Sequence, residues 1–164
     1  MPRLGAAIVI PQQPNPPAAP PSGWMALYVG ADGLLWTRNP AGVIRPVPVG
    51  AVFPFSRSGT LETGQGAHRL YNDTGFALTI RSVRASVGTP PTGAPIIVDV
   101  NVNGATIFTT QANRPTIPAG QNTSGAATGH SVTTIPDGGY FTVDIDQVGS
   151  TQAGADLTVQ ILCI

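Results

Sequence analysis

The chain has no lysine and a single cysteine, and only 10% of its 164 residues are charged. Each scarcity excludes something. One cysteine, Cys163, rules out an intramolecular disulfide and a cysteine-based metal cluster, and its place in the alternating pattern of the last apolar run reads as a small core hydrophobe. The eight basic residues are all arginine, scattered from Arg3 to Arg114 and balanced by eight acids, so the clustered positive surface that nucleic-acid binding requires is missing. Long apolar runs are lacking too. The segment Leu4–Ile10 is too short to span a bilayer and is broken by Pro11, so neither a signal peptide nor a membrane segment is expected. No stretch carries a helical apolar period. Catalytic material is equally sparse: the two histidines, His68 and His130, lie in no recognisable nucleophile or acid–base motif. We therefore expect no enzyme, no cofactor and no metal site. The alternating oxygens of Asp99, Asn101 and Asn103 and of Asp144 and Asp146 read as outward polar positions on half-buried strands. A surface with so little charge is poorly protected against self-association, which favours a component of an assembly over a free monomer.

What is abundant is proline, glycine and β-forming residues. Six of the eleven residues from Pro11 to Pro21 are proline, which holds that stretch near an extended polyproline path and leaves it no core of its own. Next comes a hairpin signal. Asp32-Gly33 joins two short apolar runs, and Trp24, Tyr28 and Trp36 fall at positions where one face can hold all three. A lone hairpin is marginal in water. The leader offers it no cover, so the aromatic face calls for burial by a partner. Ile8 and Ile10, in the β-branched run before the prolines, could pair with a sheet edge on a partner or on another copy. The stretch from Val43 to Phe55, with three prolines, reads as an extended connector that brings Phe53 and Phe55 to the open end of the domain that follows.

From there on the chain shows strands at short spacing: 67–72, 76–87, 95–103, 105–110, 131–135, 140–148 and 156–163. Asn103-Gly104 is a type I′ turn signal, and Pro136-Asp137-Gly138-Gly139 a second turn. Alternation assigns Ile96, Val98, Val100 and Val102, Phe141, Val143 and Ile145, and Leu157, Val159, Ile161 and Cys163 to one core. Between Ile80 and Val83 the apolar phase switches, which predicts a bulge or a bend. The expected fold class is all-β: an extended Pro-rich arm (1–23), a hairpin and connector (24–55), and an antiparallel β-sandwich of jelly-roll type (56–164).

Two sets of residues carry a family resemblance. Pro21-Ser22-Gly23-Trp24-Met25-Ala26-Leu27-Tyr28 followed by Asp32-Gly33-Leu34-Leu35-Trp36, within residues 20–45, resembles the attachment hairpin of bacteriophage tail fibres and minor tail proteins. His68 to Gly75 and Pro95 to Gly104 are similar to stretches of the C-terminal β-sandwich domains of actinobacteriophage tail proteins. The resemblance implies a virion protein that docks through its N-terminal part onto other virion proteins. It also implies a homotrimer, with Trp24, Leu27, Tyr28 and Trp36 about a threefold axis. On this reading the sandwich contacts the host surface by repeated weak contacts. A glycan is the expected ligand class, for which Tyr71, Phe108, Tyr140 and Asn113 are the candidate binding residues. A capsid decoration protein or head fibre is the first alternative, and a carbohydrate-binding accessory module the second.

Overall fold

The computed structural model describes residues 10–47 and 50–164, and the run before Ile10, including Ile8, lies outside them. The chain divides into two compact units, Met1–Val49 and Gly50–Ile164. In the first, β1 (Ala26–Val29), β2 (Leu35–Arg38) and β3 (Ile44–Pro46) form an antiparallel meander. Gly33, at φ 77°, supplies the left-handed residue that closes the β1–β2 turn. The Asp32 carboxylate fastens that turn by accepting the Leu34 amide at 3.0 Å.

The proline-rich stretch is part of this unit. Gln12 bridges Val29 in parallel, the Gln13 amide donates to the Val29 carbonyl at 2.9 Å, the Gln12 side chain donates to Ala31 O at 2.7 Å, and Arg38 donates to Pro17 O. This corrects the expectation that the leader offers no cover. Prolines cannot supply ladder donors, but the two glutamines between them can, and those glutamines tie the arm to its own sheet.

The second unit is a β-sandwich. Its strands are β4 (Ala51–Thr60), β5 (Leu70–Tyr71), β6 (Leu78–Thr89), β7 (Ile96–Val102), β8 (Ala105–Thr106), β9 (Thr116–Ile117), β10 (Thr123–Ala127), β11 (Thr134–Ile135), β12 (Tyr140–Gln147) and β13 (Ala155–Cys163). One sheet runs β10-β6-β13-β4 with β11 on β6; the other runs β5-β12-β7-β8 with β9 on β7. First strand beside last, and second beside next to last, is the double Greek-key order of a jelly roll. The apolar faces assigned by alternation meet between the sheets, with Val83, Val98, Val100, Phe141, Val159 and Ile161 fully buried.

Two expectations about the segment before the sandwich are overturned. Ile44–Pro46 and Ala51–Phe55 are strand rather than connector, and Phe55 is a core residue, while Phe53 stands edge-on to Phe141 with centroids 5.1 Å apart. Prolines concealed both strands. Each is the outermost strand of its sheet, where a missing amide donor is tolerated.

Candidate functional site

Within the first unit, Tyr28 and Trp36 are directly opposed across β1 and β2, so they share a face. Tyr28 is buried to 3% exposure, and the Trp36 indole donates to both Asp32 oxygens, at 3.1 and 3.2 Å. The Leu34 amide and then this indole hold the Asp32 carboxyl below its ordinary pKa. A cleft of about 310 Å³ opens between arm and sheet, lined by Gln13, Pro14 and Pro16 on one side and Tyr28, Trp36 and Ile44 on the other. Trp24 does not join the pair: it precedes β1, just after the Pro21–Trp24 turn, and is 72% exposed. Leu27 points to the opposite face of the sheet from Tyr28 and is 51% exposed, with Met25, Leu34 and Val43 also open to solvent. Ile10 is half-buried and stands outside any strand. The expected single aromatic face is thus split: Tyr28 and Trp36 are met by the chain's own arm, while Trp24, like Leu27 on the opposite face, stays exposed.

In the sandwich, the structure sorts the expected glycan-binding residues. Phe108 is fully buried between the sheets and stands edge-on to His130 at 6.3 Å, so it cannot stack on a ligand. The Ala105–Thr110 run read as one strand, but it ends at Thr106, and the chain then turns Ile107 and Phe108 into the core. Asn113 sits in a 3-10 turn (Gln111–Asn113) and donates to Gly129 O at 3.0 Å, closing one loop on another.

Tyr71 and Tyr140 are brought together. They are register partners on β5 and β12, their rings are 5.5 Å apart and tilted by 54°, and Arg69 lies over the Tyr140 ring at 4.5 Å. Tyr71 keeps 47% of its surface exposed. Pairing with the Phe141–Leu70 row, which faces the core, forces this row outward. The Asn103-Gly104 turn borders it: Asn103 Oδ1 accepts the Tyr140 amide at 3.0 Å, and both turn residues have the positive φ of a type I′ turn, 52° and 85°.

Beside this row the outer face of β7 and β12 is polar and covered. Asp99 and Asn101 point outward as alternation predicts, yet both are buried, which periodicity along one strand cannot reveal. Asn101 donates to Asp144 at 2.8 Å, the Gly66 amide reaches the other Asp144 oxygen at 2.8 Å, and Arg114 pairs with Asp146. Among the described residues no group of three or more His, Cys, Asp or Glu side chains comes together to hold a metal, and no helix is long and apolar enough to cross a membrane.

One structural centre escaped the sequence reading. Asn72 is fully buried and donates to the carbonyls of Phe76, Ile135 and Pro136 at 3.0 to 3.3 Å, while its side-chain oxygen accepts the Thr74 hydroxyl at 2.7 Å. An Asn immediately before an Asp-Thr-Gly turn was the available signal. No protein-family model, curated protein or solved structure matches the chain.

Proposed function

We propose that this chain is a non-enzymatic structural protein of a bacteriophage virion, a minor tail or fibre component. It docks through its N-terminal unit and turns its jelly roll toward the host surface. The observation that carries the reading is the apolar surface of the first unit: Trp24, Met25 and Leu27 lie within four residues of one another and are 72%, 65% and 51% exposed. In so small a unit, that surface marks an interaction site. The residues in question belong to the segment whose sequence resembles phage attachment hairpins. Other virion proteins and further copies of the chain, as a homotrimer, are the partners proposed for it. Host-surface glycan is the ligand class proposed for the jelly roll, where low affinity per copy is multiplied by repetition.

Gold-labelled antibody against the jelly roll, imaged on intact particles by electron microscopy, tests the assignment. Label at the tail tip or baseplate is the expected result. Label spread over the head moves the protein to capsid decoration, and particles without label reject a virion role.

A further inference from the structure

Arg69 holds a charge that the described structure does not neutralise. The ion pairs among the described residues are Arg57–Glu62 and Arg114–Asp146, so no carboxylate lies within pairing distance of Arg69. It is nonetheless not a free-floating surface arginine. Its guanidinium is seated over the Tyr140 ring at 4.5 Å, and an arginine carries its charge at every relevant pH. Stacking of this kind engages the face of the guanidinium and leaves the N–H groups at its edge to meet an anion side-on.

The surroundings keep the place open. The neighbouring turn ends in Gly104, which has no side chain to lay over the phenol; an added Cβ there would meet the Tyr140 hydroxyl at 3.9 Å. Tyr71 of β5, two residues after Arg69, presents a half-exposed ring 5.5 Å from that of Tyr140. A depression elsewhere on the sandwich, about 220 Å³ over Val52, Ser82, Arg84, Gln160 and Leu162, has a cation but no aromatic side chain. At the β5–β12 edge an arginine is seated over one aromatic ring with a second, half-exposed ring beside it.

Resting on the reading of the jelly roll as the glycan-facing part of the chain, we propose that this edge binds an acidic saccharide. The sugar carboxylate meets the Arg69 guanidinium, and the apolar face of the ring lies on Tyr71. A neutral sugar would use the ring and leave the charge idle. A phosphate polymer without sugar rings would use the charge and leave the ring idle.

The test is calorimetric titration of the full-length protein with oligogalacturonate, hyaluronan fragments and sialyllactose. Methyl-esterified oligogalacturonate and lactose serve as neutral counterparts, and poly(glycerol phosphate) as a ring-free anion. At least one acidic sugar is expected to bind about tenfold or more tightly than its neutral counterpart. Arg69→Gln should bring the two within about twofold, and Tyr71→Ala should weaken both, with melting of each variant showing that the fold is kept. The proposal is overturned by equal binding of acidic and neutral sugars, by an acidic preference that survives Arg69→Gln, by poly(glycerol phosphate) binding equally well and indifferent to Tyr71→Ala, or by silence from the whole acidic panel. Retained neutral-sugar binding would leave the glycan reading standing without the acidic one, and labelled particles with no sugar binding would leave the virion reading without either.

Discussion

At the scale of single residues, burial decides what each polar group can do. Cys163 shows this plainly: desolvation pushes its thiol up to about 11, so it stays protonated and inert in the folded chain. Asp99 is the more consequential case. Burial first, and then the Asp146 charge, raise its carboxyl above the ordinary pKa, against the opposing hydrogen bonds from the Thr106 hydroxyl and the Val100 amide at 2.8 and 2.7 Å and the Arg114 charge. The folded chain therefore holds the Asp99 proton to higher pH than the unfolded chain does. Its contribution to stability is greatest below the ordinary carboxylate pKa and declines as pH climbs through the raised value. Asp99→Asn keeps an acceptor for both hydrogen bonds and removes the charge. The variant is expected to melt higher than the natural chain near neutral pH, with the gap closing as the pH is lowered to about 3. Thermal melts across that range decide it, and a variant that melts lower than the natural chain at neutral pH contradicts the argument.

At the scale of elements, most strands were legible because their alternation survives: β7, β12 and β13 have the cores that their period of two assigns them. The phase switch in β6 was legible as well. It is a bulge, since β13 skips from Ser82 to Ile80 between Leu162 and Cys163, and β6 stays in one sheet throughout. What meets the Ile80 carbonyl on the other side of β6 was not legible. His130 comes from a loop fifty residues away, donates through Nε2 to the Ile80 carbonyl at 3.0 Å, and packs against Phe108. Its Nδ1 is buried with no hydrogen-bond partner among the described residues. Sequence leaves a glycine-rich loop histidine looking idle because nothing local marks a carbonyl orphaned on a distant strand. The same holds for the candidate site: the position of Tyr71 and Tyr140 at strand ends was readable, whereas Arg69 over the ring and Phe108 turned inward depend on pairing between strands far apart in the chain. His130→Ala should leave the Ile80 carbonyl without its donor and cost about 1–3 kcal/mol. Urea unfolding measures this, and a change below about 0.5 kcal/mol would show that the carbonyl does not depend on the ring.

At the scale of the whole molecule, the two units differ in what holds them. The jelly roll has a core of fully buried side chains spread over both of its sheets, and a sandwich of roughly 100 residues buries enough apolar surface to stand by itself. Among the described side chains of the first unit, Tyr28 is the only buried apolar one, supported by the arm's few hydrogen bonds and by the Asp32 clasp on Trp36. Three short strands with so little interior stay close to the threshold at which a small sheet is stable in water. Local opening of the first unit should therefore take far less free energy than global unfolding of the second. Hydrogen exchange on the purified chain is expected to show it: amides of β1, β2 and β3 should exchange orders of magnitude faster than those of β6, β7, β12 and β13. On the virion role proposed above, the first set should become protected in intact particles while the second is unchanged, because the proposed docking would cover Trp24 and Leu27 and add their burial to the unit's stability. Equal protection of both units in the free chain would mean that the first needs no partner, and the exposed apolar residues would then have to be explained without one.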